Sequence, residues 1–131
     1  MSTTRLLEYD QAPPEVRAVY DAIKAAGGLP DVNNFWKALA VHPPTLSRTW
    51  ESLSRVMAAG ALDPLVKEML YLAVSVAQGC EYCIASRTAA ARAKGMTDVQ
   101  YGELLAVVGM ASETNRLAQA MRVPVDPRFE A

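Results

Sequence analysis

Histidine occurs once in this 131-residue chain, cysteine twice, and aromatic side chains make up only 7% of it. Two cysteines and a distant His42 fall short of the four ligands a tetrahedral zinc site takes, so neither metal nor cofactor is expected. No charge sign dominates either: 13 basic and 14 acidic residues leave a net charge of −1. Without a lysine/arginine stripe, nucleic acid and anionic membranes are poor partners. Long apolar runs are missing too. The longest uncharged stretch, Met69 to Cys80, is roughly half the ~20 residues a transmembrane helix needs. Near the start, Arg5 is followed by only Leu6 and Leu7 before Glu8 and Asp10, which is not a signal-peptide core, so the expected location is the cytoplasm.

What is present fits one helical domain, long enough to bury a core. The apolar share of 51% is slightly high for a soluble monomer and points to self-association. Pro14 opens an amphipathic helix through Val16, Val19, Tyr20 and Ile23 that stops at Gly27-Gly28. Asp31 to Asn34 offer caps for a short second helix, closed by His42-Pro43-Pro44, and a third runs from Pro44 and Thr45 to near Gly60. Asp63-Pro64 starts a fourth over Leu65–Gln78. Glu68, Tyr71, Ser75 and Gln78 form its one polar stripe, and the remainder is apolar enough to require burial. Gly79 ends it and the Ala-rich Cys80–Lys94 segment returns as a helical hairpin. Thr97 and Gln100 form a capping box for a further helix, which Gly109 is expected to interrupt. The expectation is an all-α bundle of six or seven helices: an arm over 1–13, the domain over 14–123 and an extended tail over 124–131. Met57, Met69, Met110 and Met121 read as core fillers, and Trp36 and Trp50 as core or interface anchors.

Chemistry concentrates at Cys80-Glu81-Tyr82-Cys83, where a helix begins. A thiol in the first turn of a helix sits in the positive end of the backbone dipole, which favours thiolate and raises reactivity. In a reducing compartment this spacing is more often redox-active than a permanent bridge. The bland alternative is a buried, inert pair that packs as small hydrophobes.

Glu68, eleven residues, Cys80-x-x-Cys83 and a residue four further on together resemble the carboxymuconolactone decarboxylase and AhpD-like alkylhydroperoxidase family. Cys80 to Ser86, and Leu29-Pro30 through Asn34 to His42-Pro43, are similar to its phrasing. The resemblance implies a thiol-dependent peroxidase or dithiol oxidoreductase, assembled as a trimer or hexamer. It implies that Cys83 attacks the peroxide, that Cys80 resolves the sulfenic acid, and that a lipoyl or thioredoxin-type dithiol protein restores the pair. Arg87 stands where the family has its relay histidine, and a guanidinium cannot act as that base, so weakened peroxidase activity is expected.

Geometry gives Arg87 another role. At about 1.5 Å per residue, Glu68 lies roughly 16 Å before the Gly79 turn and Arg87 about 10 Å after it, within reach of two long side chains. An Arg87–Glu68 pair that also places positive charge near Cys83, four residues away on the same face, is therefore expected. Tyr71, Tyr82 and Ser75 are supporting residues, more often packing or hydrogen-bonding groups than acids. Two other functions compete: a non-catalytic redox-responsive assembly, and a carboxymuconolactone-decarboxylase-like enzyme, which lacks a histidine beside the pocket to take a proton from carbon.

Overall fold

The computed structural model describes residues 1–130, which contain six α-helices and, among the described residues, no strand. Contacts group the chain into two compact units, one from Met1 to Ala58 and the other beginning at Ala59.

In the first unit a short 3₁₀ turn, Tyr9–Gln11, precedes α1 (Pro14–Gly27), α2 (Asn34–Leu39) and α3 (Pro43–Met57). Val16, Tyr20 and Ile23 recur at helical spacing on α1 and bury against Val32, Trp36, Ala40 and Leu46. Trp36 and Trp50 meet edge to face at 5.5 Å. The N-terminal arm is tied to this core: the Tyr20 hydroxyl donates to the Leu7 carbonyl at 2.8 Å, and the Leu7 N–H to the Lys37 carbonyl at 3.1 Å. Lys37 itself is buried, and its ammonium meets Glu8 and Asp31 at 2.7 Å each. Asp31 was a candidate helix cap. Asn33, within the same expected range, holds the N-cap position, and the Asp31 carboxylate accepts from Lys37 and the Val32 N–H. His42 sits at the N-cap position of α3, its ring nitrogen bonded to the Thr45 hydroxyl.

In the second unit α4 (Pro64–Gln78) and α5 (Glu81–Ala93) form the hairpin expected from the sequence. Asp63 caps α4 by accepting the Leu65 N–H, and Gly79 supplies the left-handed residue that ends it. The Cys80 N–H then returns to the Ser75 carbonyl, which fixes the turn just before the cysteine pair. Leu72, Ala91, Met96 and Leu104 make the core of this unit. Leu72 is fully buried, so its truncation to alanine would cost about 2–5 kcal/mol.

Three expectations fail here. Gly109 does not interrupt its helix: α6 runs unbroken over Asp98–Met121, because one glycine costs only about 1 kcal/mol against a capped 24-residue helix. The apolar positions of α4 are not all covered, since Val66, Leu70 and Val74 face solvent at steps of four. Met110 and Met121 are likewise exposed rather than core fillers. Near the end of the chain, the tail carries a 3₁₀ turn at Pro127–Phe129.

Candidate active site

The hairpin turn delivers the two cysteines. Gly79 redirects the chain, Cys80 becomes the N-cap of α5, and Cys83 follows at its third helical position. That spacing holds the two Cα atoms 5.2 Å apart, and the sulfurs are joined as a disulfide. Cys80 acts as the cap through its side chain: its sulfur accepts the Cys83 N–H at 3.3 Å, a role usually filled by Ser, Thr, Asp or Asn. Its carbonyl accepts the Ile84 N–H at 2.8 Å, the first hydrogen bond of the helix.

Across the hairpin, Glu68 is 5% exposed on α4. Two cations of the returning helix meet it, Arg87 at 3.3 Å on one carboxylate oxygen and Lys94 at 3.5 Å on the other. The Arg87 guanidinium also lies 3.8 Å from the centroid of the Tyr71 ring, a cation–π contact one helical turn along α4 from Glu68. Ser75 is buried and its hydroxyl donates to the Tyr71 carbonyl one turn back on α4. Tyr82, between the cysteines, is exposed. The Ser86 hydroxyl donates to the Cys83 carbonyl at 3.2 Å.

The structure thus brings Glu68, Tyr71 and Arg87 together on the hairpin and joins Cys80 to Cys83 at its turn, while the Ser75 hydroxyl is spent on the Tyr71 carbonyl. Lys94 was missed by sequence reasoning. Its signal was available: it follows Arg87 by seven residues, two turns along the same helix face.

A model of the Carboxymuconolactone decarboxylase family matches residues 43–126. The chain belongs to the carboxymuconolactone decarboxylase family. Within that family it is 30% identical over 109 residues to an alkyl hydroperoxide reductase AhpD from Solibacter usitatus, a match covering 81% of this chain and 60% of the relative. The chain therefore spans about 60% of the length of that curated relative. It is also similar to the crystal structure of an alkylhydroperoxidase AhpD core from Rhodospirillum rubrum, with 53% identity, a TM-score of 0.95, and coverage of 100% of this chain and 98% of the other. The all-helical fold and the family expected from the sequence are both confirmed by these matches. Among the described residues no helix is long and apolar enough to cross a membrane, and no cluster of three or more His, Cys, Asp or Glu side chains could hold a metal.

Proposed function

We propose that this protein is a dithiol peroxidase and disulfide oxidoreductase working through Cys80 and Cys83. The observation that carries the reading is the disulfide at the start of α5, with one sulfur already receiving a backbone N–H. Both AhpD relatives bear peroxide-reducing names, which favours the same chemistry here. The two thiols supply two electrons to the O–O bond of an alkyl or hydrogen peroxide, giving the alcohol, water and the disulfide. An external dithiol, of lipoyl or thioredoxin type, takes the disulfide back to two thiols.

Arg87 alters how the proton moves. With its guanidinium engaged by Glu68 and Tyr71, the departing alkoxide draws its proton from water or the Tyr71 hydroxyl. Turnover is accordingly slow. The reduced protein should consume peroxide with loss of two free thiols per molecule, and thiols that survive mild peroxide would refute the reading. Arg87→His should raise peroxide turnover about tenfold or more, by placing a titrating imidazole beside Glu68. Equal rates in the two proteins would show that the histidine does not matter here.

Self-association into a trimer or hexamer belongs to the same proposal. Val66, Leu70 and Val74 on α4, with Val107 and Met110 on α6, expose more apolar side chain than isolated surface residues account for, and a second copy of the chain would cover them. Light scattering of the purified protein decides it, a monomeric mass being the contrary result.

A further inference from the structure

The geometry points to a two-fold pairing of this chain with a second copy through the outer face of α5, the two helices running antiparallel. This face is distinct from the apolar surface of α4 and α6, and the pairing does not rest on the redox reading.

At about 100° per residue, Glu81, Ala85, Thr88 and Arg92 share one stripe along α5, with Ile84 and Ala89 flanking it. These six residues line an open groove of about 620 Å³. Nothing in the chain covers its outer side: Glu81, Ala85, Ala89 and Arg92 are all exposed. With alanines along its middle, the helix lets a second one approach to about 8 Å, the close end of the usual range.

The order of residues along the stripe selects the occupant. If a two-fold axis falls midway between Ala85 and Thr88, Glu81 meets the partner's Arg92, Ile84 the partner's Ala89, and Ala85 the partner's Thr88. The stripe therefore complements itself. Opposite charges close both ends, and between them a larger side chain always faces a smaller one. A parallel pair would instead set Glu81 on Glu81 and Arg92 on Arg92, repelling at both ends.

Both charges are available for this. The Glu81 carboxylate meets no cation or hydrogen-bond donor among the described residues. Within one chain it cannot reach Arg92, because eleven residues of helix hold the two about 16 Å apart. Arg92 meets Asp98 at 2.7 Å and lies 5.5 Å from the centroid of the Tyr101 ring, yet its side chain is 47% exposed. A guanidinium has five N–H donors, enough for a second carboxylate. Cys83, Arg87 and Lys94 fall on the opposite side of α5, so the pairing leaves the Glu68 cluster uncovered.

Two-fold pairing requires an even number of copies, which a simple trimer does not have. Light scattering and sedimentation velocity over a range of concentrations make the test, and the native chain should form an even-numbered assembly. Glu81→Arg sets arginine against arginine at both ends; it should weaken the pair about tenfold or more and about halve the mass where the native chain is paired. Arg92→Glu should do the same, and a variant carrying both changes, with opposite charges facing again, should recover the native mass. Because Arg92 also holds Asp98, a second route avoids it: Ala85→Arg fills the exposed middle of the stripe and should abolish pairing with helical content unchanged. An odd-numbered native assembly, or unchanged masses for Glu81→Arg and Ala85→Arg, would overturn the pairing. Neither result bears on the α4 and α6 surface, which Leu70→Asp probes separately. A double variant as weakly paired as the single ones would overturn the antiparallel register.

Discussion

Each unit of the chain buries one charge and surrounds it with two of the opposite sign, and the two clusters are mirror images. In the first unit Lys37 is the buried group, with Glu8 and Asp31 each at 2.7 Å. In the second Glu68 is buried, with Arg87 at 3.3 Å and Lys94 at 3.5 Å. The first cluster has the short contacts of charge-assisted hydrogen bonds; the second does not. One of its partners also differs in exposure: Glu8, Asp31 and Lys94 are 55%, 55% and 43% exposed, whereas Arg87 is 19% exposed and packed on Tyr71. Tight geometry with solvated partners fits a fastener for the N-terminal arm. Looser geometry, with one partner packed on an aromatic ring, fits a brace between the two helices of the hairpin.

The strongest way to break the symmetry is to remove each central charge in turn. Glu68→Ala leaves Arg87 mostly buried without its carboxylate, and an uncompensated charge in such a place costs about 3 kcal/mol. Lys37→Met keeps an apolar stem of similar length and returns two exposed carboxylates to water, so its cost should be about 1 kcal/mol. Denaturant midpoints of the two variants, measured with the unchanged slope as a check on cooperativity, settle the comparison. Equal losses would mean that partner exposure does not govern these clusters.

Much of this was written into the chain, and what was not has a physical reason. Helix starts were legible because they rest on local chemistry: Asp63-Pro64 for α4, and Thr97 with Gln100 for α6, appear as read. The Glu68–Arg87 pair was legible because a tight hairpin turns sequence distance into spatial distance. Exposure was not. Whether Leu70 and Met110 lie in a core or on a surface depends on what packs over them, and apolar periodicity cannot tell a covered face from one awaiting a partner. The Lys37 cluster was missed for a similar reason, since Glu8 lies 29 residues from Lys37 and nothing local announces the contact. Gly109 shows the limit of breaker rules: a single glycine is outweighed by the capped turns on either side.

The smallest expected effect sharpens the comparison through pH. Asp31 is held below its ordinary carboxylate pKa chiefly by the hydrogen bond from Lys37, helped by the Val32 N–H. Lys37 is held above its ordinary value chiefly by the bond to Asp31 and then by Glu8, against the opposing effect of burial. The signs place the two losses at opposite ends of the scale. The Asp31 contribution is complete above the ordinary carboxylate value of 3.8 and disappears as pH falls through the depressed one. The Lys37 contribution is complete below 10.5 and disappears as pH rises through the raised one. Across neutrality the fastener should therefore hold constant strength. Asp31→Asn should lower stability at pH 7 by less than about 1 kcal/mol, because the carboxylate is half in water and its pair is partly screened. As the pH is lowered below 3.8, the gap between the variant and the native chain should close, since the native carboxyl is by then protonating too. Thermal melts of both proteins at pH 7 and near pH 2.5 make the measurement. A gap of constant size at both would show that Asp31 acts through its shape and its bond to Val32, not through its charge on Lys37.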